Sequence, residues 1–281
     1  KGCRIIFYMR KKRIGISTSS PLLKTGFSKV GFEIAKYLYN TDKYEIYYLH
    51  HSLMDGDPNF NRFPWINQGA LTPEIVNQEQ WKDGGWQRTA CYGNMQAHNF
   101  IVGNKLDTVI LAEDIWAFHH DAYYNKDYFD FCKNNVIVWT TCDSKPILGA
   151  FKDWVDRCPN VLFWTKFGVT ELKKENAERF KNLDYLYGCI NTNNYQIINN
   201  GERNELRKRF NISDDTVLFF TCNRNQLRKL YPSNIEALAR FKRQFPNIKA
   251  KMHFHTSWSE WGDHGGWDLN RIREEQGLAV E

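Results

Sequence analysis

Short apolar runs alternate with amphipathic helical stretches along most of this 281-residue sequence. The runs have the length of β-strands and few polar residues, which is typical of strands buried on both faces. This alternation predicts an α/β fold in which helices cover both faces of a parallel, Rossmann-like sheet. Predicted strands span residues 13–17, 44–50, 108–112, 136–140, 161–164, 185–190, 217–221 and 249–255. Predicted helices span residues 27–39, 125–133, 148–155, 169–180, 202–210 and 268–276, with one more ending at 98–104 and one opening at 232 or 233.

A polar, Asn-rich segment from Asn191 to Gly201 interrupts the alternation. We place a domain boundary there, with one Rossmann-like domain at residues 1–198 and the first part of a second at residues 199–281. Residues 1–8, which precede Met9 and a basic cluster, are interpreted as an upstream extension. Residues 52–90 are rich in Asn, Asp, Gly, Pro and Trp, so we expect irregular structure with a short hairpin there.

Composition points to a cytoplasmic globular protein. Hydrophobic residues make up 42% and charged residues 25% of the chain, and no apolar stretch approaches the length of a transmembrane helix. Seven scattered cysteines without a Cys-x-x-Cys pair favour reduced thiols over a disulfide framework. The net charge of +6 is modest, so we expect no nucleic-acid partner. The basic clusters at 10–13, 203–209 and 224–229 leave nucleic acid as an alternative, which predicts salt-sensitive binding.

The stretch from Thr216 to Lys242 predicts a phosphate site. An apolar strand is followed by a polar loop with Arg224, Arg228 and Lys229, and then by a helix. Such a loop lies at the carboxyl edge of a parallel sheet, beside the unpaired N–H groups of a helix amino terminus. Cationic side chains at that edge favour a diphosphate over a neutral ligand.

Three further clusters carry candidate functional residues. Gly26, in the loop after the first strand, permits a positive φ and the close approach of a ligand, although a turn without a ligand is an equal alternative. A full Gly-x-Gly-x-x-Gly motif is absent, so dinucleotide binding is not predicted. Candidate residues at the carboxyl ends of two later strands are Asp114, Trp116, His119, His120 and Asp143.

A histidine at this edge can hydrogen-bond a sugar hydroxyl or move a proton, whereas solvated loop histidines are the alternative. A last group of polar residues fits no zinc spacing, so packing is the preferred interpretation and no metal or other cofactor is predicted. Its members are His253, His255, Asp263, His264 and Asp268.

Several of these segments resemble the retaining GT-B-fold glycosyltransferases that use nucleotide-sugars. The segment from Thr25 to Val30, leading into Glu33-Ile34-Ala35, is similar to the family's first glycine loop and helix. Asn223 to Lys229 resembles its diphosphate loop, in which an Arg and a Lys five residues later hold the donor. The segments His255-Thr256, Gly266-Trp267-Asp268-Leu269 and Gln276-Gly277-Leu278 are similar to those of a subgroup common in phage and metagenomic sequences.

The resemblance implies a metal-independent glycosyltransferase with a UDP-, GDP- or ADP-sugar donor and an unknown acceptor. It assigns donor diphosphate binding to Gly26, Asn223, Arg224 and Lys229, and sugar contacts or catalysis to Asp114, His119 and His120. The chain departs from the family at Cys189 and Asn191, where Gly and Asp are usual, and in having one glycine in the first loop. The paired glutamates of the donor site would lie beyond residue 281, so we expect a truncated enzyme; the alternative is a non-catalytic glycan- or partner-binding module.

Overall fold

The computed structural model describes residues 10–119, 122, 135–142, 144–147, 149–158, 160–258 and 265–279. His120, Asp143, Asp263, His264 and the helix predicted at 125–133 lie outside these residues. The chain divides into two compact units between Asn194 and Tyr195. No helix in the part of the chain that the structure describes has the length and apolarity needed to cross a membrane.

A seven-stranded sheet in which every neighbouring pair is parallel forms the first unit, with the strand order β3-β2-β1-β4-β5-β6-β7. The order changes direction between β1 and β4, which is the arrangement of doubly wound, Rossmann-like folds. The strands are β1 (Lys12–Ser19), β2 (Tyr44–Met54), β3 (Ile66–Leu71), β4 (Thr108–Ala112), β5 (Val136–Thr140), β6 (Val161–Phe163) and β7 (Asp184–Tyr185).

Helices lie in four of the connections between these parallel strands, those of β1–β2, β3–β4, β5–β6 and β6–β7. They are α1 (Gly26–Asn40), α2 (Pro73–Val76), α3 (Gly84–Cys91), α4 (Gly149–Arg157) and α5 (Lys166–Glu175). Short 3-10 turns lie at Pro58–Arg62, Glu79–Lys82, Asn94–Gln96, Ile115–Ala117 and Thr192–Asn194, and a π-helical turn lies at Asn99–Gly103. Gly31 brings α1 close to the sheet, because a Cβ there would lie 2.5 Å from both Thr18 Cγ2 and Tyr48 Oη.

Alternate residues of the central strands enter cores on opposite faces of the sheet. Tyr47 and Leu49 of β2 pack with one set of buried side chains, whereas Ile46 and Tyr48 pack with another. Both faces of the sheet are therefore buried from solvent, which explains why these strands have nearly continuous apolar sequences. The fold predicted from the alternation, a parallel α/β sheet with helices packed on it, is confirmed.

The second unit contains a parallel pair of strands, β8 (Val217–Cys222) and β9 (Ala250–His255). The helices are α6 (Asn200–Arg209), α7 (Tyr231–Gln244) and α8 (Leu269–Glu275), and a 3-10 turn lies at Leu227–Lys229. Helix α7 packs on one face of the pair, where the Phe219 and Phe241 rings lie 5.3 Å apart between centroids. Tyr231 and Ile235 of α7 are buried against this face.

The prediction that β8 is buried on both faces is wrong. Phe220 is 63% exposed, and Leu218 on the same side of the strand is exposed as well. The Phe220 ring stacks on that of His253 across the pair, with centroids 5.7 Å apart. An apolar run shows that a strand suits a buried sheet, but it does not show whether both faces are covered.

The hairpin predicted within residues 52–90 is also wrong. β2 continues to Met54, and β3 pairs with it in parallel. The pairing shifts register after His50, and the backbone there approaches so closely that a Cβ on Gly69 would lie 2.3 Å from Asp55 N. β3 lies at the edge of the sheet and contains Asn67 and Gln68, so its sequence lacks the apolar signal of the central strands.

Most of the basic cluster at the start of β1 is paired with carboxylates. Arg10 donates two hydrogen bonds of 2.7 Å to Asp107, and Arg13 donates one of 2.9 Å to Glu45. Lys11 pairs with Asp42. The Arg10 guanidinium lowers the pKa of the Asp107 carboxyl group. These contacts favour the interpretation of the cluster as a solvated, ion-paired strand end.

Candidate functional site

The carboxyl ends of β1 and β4 are adjacent, because Thr18 pairs with Ala112 in the sheet. The strand order changes direction between these two strands. The loops that follow neighbouring strands diverge at such a point, and ligands of doubly wound folds bind in the crevice between them. Side chains from β1, β2, β4 and the segment after β5 meet at this edge, which we call the switch-point edge.

Glu113 is the centre of a buried polar network at the switch-point edge. It is 3% exposed, and its Oε1 accepts hydrogen bonds from the Ser19 backbone N–H, at 2.8 Å, and from the Ser19 hydroxyl. His51 Nδ1 lies 3.7 Å from the same oxygen, and His51 Nε2 lies 2.9 Å from Ser17 Oγ. Because three strands contribute to the network, it fixes the end of β1 relative to β2 and β4.

His50 faces the other side of β2 and forms a separate network. Its Nε2 lies 2.9 Å from Asn67 Oδ1, and its Nδ1 lies 2.9 Å from Ser20 Oγ. The amide nitrogen of Asn67 donates to the Trp65 carbonyl at 2.7 Å, which leaves its oxygen to accept from His50 Nε2. Burial lowers the pKa of His50 to about 4, so the ring is neutral near pH 7.

Asp114 lies at the switch-point edge, as predicted. The Thr141 hydroxyl, which follows β5, donates to its Oδ1. The nearby Tyr92 phenol has a pKa raised to about 12, first by burial and then by the Glu113 and Asp114 carboxylates, so it stays protonated near pH 7. Two carboxylates and a protonated phenol therefore share this part of the molecule, where Asp114 is half-buried.

The segment from Asp114 to His119 is held by hydrogen bonds along its length. The buried Asn94 amide donates to the Ala117 carbonyl at 2.8 Å and accepts from the His119 backbone N–H at 2.8 Å. Ala117 N–H donates to the Asp114 carbonyl at 2.8 Å. The side chains of His119 and Trp116 are exposed on this segment. The structure thus brings His119 and Asp114 to one short loop, while His120 lies outside the described residues.

Gly26 is the first residue of α1, and its φ is not in the left-handed region that a glycine permits. Thr25 caps the helix: its Oγ1 accepts from Ser28 N–H, and its own N–H donates to Ser28 Oγ, both at 3.0 Å. A Cβ on Gly26 would meet no atom within 4 Å. The glycine is therefore not required by backbone conformation or packing, and it leaves open space beside the first-turn N–H groups of α1.

The predicted diphosphate loop lies between β8 and α7. Asn223, Arg224 and Arg228 are exposed, and Lys229 is half-buried. The α7 helix begins at Tyr231 after Leu230, whose φ of 49° and ψ of 43° are left-handed, and no side chain caps its first turn. The loop thus places cationic side chains beside a helix amino terminus, whose dipole favours an anion. In the first turn Pro232 has no N–H, and the Ser233 N–H donates to the Leu230 carbonyl at 3.0 Å, so the cationic side chains are the main anion-binding groups.

Asn225, which the sequence analysis missed, holds this loop in place. It is 1% exposed, donates to the Trp267 carbonyl at 2.8 Å and accepts from the Trp267 backbone N–H at 2.9 Å. Leu227 N–H donates to the Gly265 carbonyl at 3.0 Å, and Trp267 Nε1 donates to the Leu227 carbonyl at 3.2 Å. We call these four contacts the Asn225–Trp267 clasp. Asn225 and Trp267 lie 42 residues apart in the sequence, so the composition of the loop alone does not reveal the clasp.

No three His, Cys, Asp or Glu side chains converge as a metal site within the residues that the structure covers. His253 and His255 share a face of β9, as their spacing predicts, and their rings lie 6.4 Å apart between centroids. Both side chains are exposed.

Comparison with known proteins identifies the fold. No family model and no curated protein sequence matches this chain. A glycosyltransferase from Rickettsia africae is similar in structure, with a TM-score of 0.58 and 14% identity over 96% of this chain and 66% of that one. The N-terminal domain of Candida albicans trehalose-6-phosphate phosphatase matches with a TM-score of 0.59 and 10% identity over 96% of this chain and 68% of that one.

An α,α-trehalose-phosphate synthase (UDP-forming) from Burkholderia vietnamiensis matches with a TM-score of 0.53 and 10% identity, over 96% of this chain and 69% of that one. The chain thus spans about two thirds of the length of each of these three structures. The likeness is one of fold, and it confirms the predicted Rossmann-like architecture of the GT-B type.

Proposed function

We propose that this chain belongs to an enzyme that transfers a sugar from a nucleotide-diphosphate donor to an acceptor hydroxyl. The observation that carries the proposal is the clasped cationic loop before α7, in which Arg224 and Lys229 precede a helix amino terminus without a side-chain cap. The fold shared with the Rickettsia africae glycosyltransferase and the UDP-forming synthase supports it.

The chemistry of the transfer explains why cations are needed at this loop. The bond between the anomeric carbon and the diphosphate oxygen breaks, the acceptor oxygen bonds to that carbon, and the hydroxyl proton passes to the departing diphosphate. Negative charge grows on the diphosphate as the bond breaks, so contacts from Arg224 and Lys229 strengthen in the transition state and raise the rate. These fixed cations take the place of a metal ion, and activity in the presence of a chelator tests that part of the proposal.

The first unit supplies the groups that contact the sugars in this proposal. Asp114 and His119 lie on one hydrogen-bonded loop at the switch-point edge, where doubly wound folds bind their ligands. His120 follows directly in the sequence, and its contact with the sugar stays a prediction. From the family resemblance we expect retention of the anomeric configuration, which NMR of the product linkage would establish.

Calorimetric titration with UDP, GDP and ADP tests the donor loop. We expect one nucleotide to bind, and Arg224→Ala or Lys229→Ala to weaken its binding by about 1.5–3 kcal/mol, the contribution of a charged hydrogen bond. Arg228→Ala removes the same charge from the same loop and is the matched control, expected to lose less than half as much. Equal losses of affinity in all three variants would show that the loop attracts the nucleotide only by its overall charge. Unchanged binding in Arg224→Ala and Lys229→Ala would refute the proposed donor loop.

A further inference from the structure

Trp116 has a large apolar side chain that is exposed to solvent, and it lies on a hydrogen-bonded turn. Its side chain is 43% exposed, while its neighbours Ile115 and Ala117 are buried. The Asn94 amide and the Asp114 carbonyl hold the turn beneath it. The Tyr92 ring meets the indole edge-to-face, with centroids 5.3 Å apart and planes at 88°. Conformational entropy lost on binding is therefore small, since the ring is already oriented.

The surroundings of Trp116 are polar and carry carboxylates. Asp114 lies two residues before it, with one oxygen accepting from Thr141. The adjoining Tyr92 phenol has a pKa raised by burial and then by the carboxylates of Glu113 and Asp114, so both carboxylates lie in this neighbourhood.

This combination has a specific chemical preference. The face of an indole carries partial negative charge and attracts the C–H groups of a pyranose ring, while a carboxylate accepts hydrogen bonds from its hydroxyls. Carboxylates repel a phosphate group at the same place. An uncharged sugar can contact both the indole and the carboxylate, whereas the phosphate of a sugar phosphate or a nucleotide is repelled by the carboxylate.

We propose that Trp116 and Asp114 form a binding site for an uncharged sugar ring, which is the acceptor of the transfer. Trp116 stacks on the ring, and Asp114 accepts from its hydroxyl groups. The assignment as the acceptor rests on the proposed function, but sugar binding itself does not, because every residue used lies in the first unit.

Saturation-transfer NMR titration of the whole chain tests the site. The probes are the methyl glycosides of glucose, mannose, galactose and N-acetylglucosamine, together with the phosphorylated forms of glucose and mannose. We expect at least one neutral glycoside to bind, and its phosphorylated counterpart to bind more weakly. Trp116→Ala should raise Kd about tenfold, the equivalent of the roughly 1.4 kcal/mol of one aromatic contact. Trp116→Phe should retain most of the affinity, because it keeps an aromatic face.

Asp114→Asn supplies a readout that depends on charge. The amide retains an oxygen that can accept from Thr141, so we expect the loop to keep its conformation. The phosphorylated sugar should then bind this variant about as tightly as the neutral one. Tyr37→Ala is the control. It removes an exposed aromatic side chain that lies on α1, away from the Trp116 turn in sequence, and it should leave Kd unchanged.

Three results would overturn the inference: no glycoside binds, Trp116→Ala behaves like Tyr37→Ala, or phosphorylated sugars bind the unaltered chain as tightly as neutral ones. The nucleotide titration separates this failure from failure of the proposed function. If UDP, GDP or ADP binds through Arg224 and Lys229 while glycosides do not bind, only the sugar site is wrong. If glycosides bind through Trp116 and no nucleotide does, the sugar site stands and the transferase proposal falls.

Discussion

His50 and His51 are consecutive residues of β2, yet their environments differ in a way that affects stability. His51 lies between Ser17 and Glu113, while His50 is surrounded by Asn67, Ser20 and the Phe60 ring. The His50 surroundings contain no carboxylate in hydrogen-bond contact, as far as the described contacts extend, and burial dominates its pKa. A neutral His50 is therefore part of the folded state.

Acid should destabilise the first unit through His50. The folded pKa of about 4 is below the ordinary value of 6.5, so the unfolded chain takes up the proton first as the pH falls. The contribution of neutral His50 is complete above pH 6.5 and is lost as the pH falls from 6.5 to 4, by about 3 kcal/mol. Urea unfolding at several pH values measures this slope.

His50→Gln should flatten the slope, because an amide can replace both hydrogen bonds without titrating. His253→Gln, which removes an exposed histidine from the second unit, is the control and should keep the slope of the unaltered chain. An unchanged slope in His50→Gln would show that other groups cause the acid sensitivity.

Single-residue prediction from the sequence reached Asp114 and His119 but not Glu113, His51 or Ser17. The first two follow a strand whose end is visible in the apolar pattern, so their position at the sheet edge can be deduced. The network around Glu113 depends on the alignment of three strands, which no local spacing records. The adjacent pairs His50-His51, where the strand predicted at 44–50 ends, and Glu113-Asp114, directly after β4, were the available signal.

At the scale of elements, the sequence predicts β4 and β5 to the residue, because both are apolar runs at the centre of the sheet. Prediction weakens toward the edges, where one side of a strand is unpaired and polar residues are tolerated. β3 was missed for this reason, and the strand predicted at 185–190 is reduced to the two residues of β7. The helix predicted at 169–180 instead spans Lys166–Glu175.

The Asn225–Trp267 clasp joins two loops, and its loss should loosen both. Asn225→Ala leaves the Trp267 N–H and carbonyl without their partner, at an expected cost of about 1–3 kcal/mol to the second unit. Hydrogen exchange at the Leu227 and Trp267 amides should accelerate accordingly. Asn223→Ala removes the same amide group from an exposed position in the loop and should change stability by less than about 0.5 kcal/mol. Equal exchange rates in the two variants would show that the clasp does not hold the loop.

At the scale of the whole molecule, the two compact units meet in sequence at Asn194 and Tyr195, within a stretch that has little regular structure. Between β7 and α6 the structure contains one 3-10 turn, at Thr192–Asn194. Large side chains in this stretch are exposed, among them Tyr187, Tyr195 and Ile197. Among the residues that the structure describes, irregular backbone and exposed side chains make this stretch, which we call the linker, the most accessible to a protease.

Limited digestion with chymotrypsin should therefore cut first after Tyr187 or Tyr195 and release two fragments that resist further cleavage. Tyr37 is the internal control: it is 72% exposed, more than either linker tyrosine, but it lies in the middle of α1. A protease needs an extended backbone, so cleavage at Tyr37 requires the helix to unfold, whereas cleavage in the linker does not. Mass spectrometry of the first products decides the matter. Early cleavage after Tyr37 would mean that side-chain exposure alone determines where the protease cuts. Replacing Tyr187 and Tyr195 by serine should delay the first cut if backbone conformation determines the cleavage site, and should not delay it otherwise.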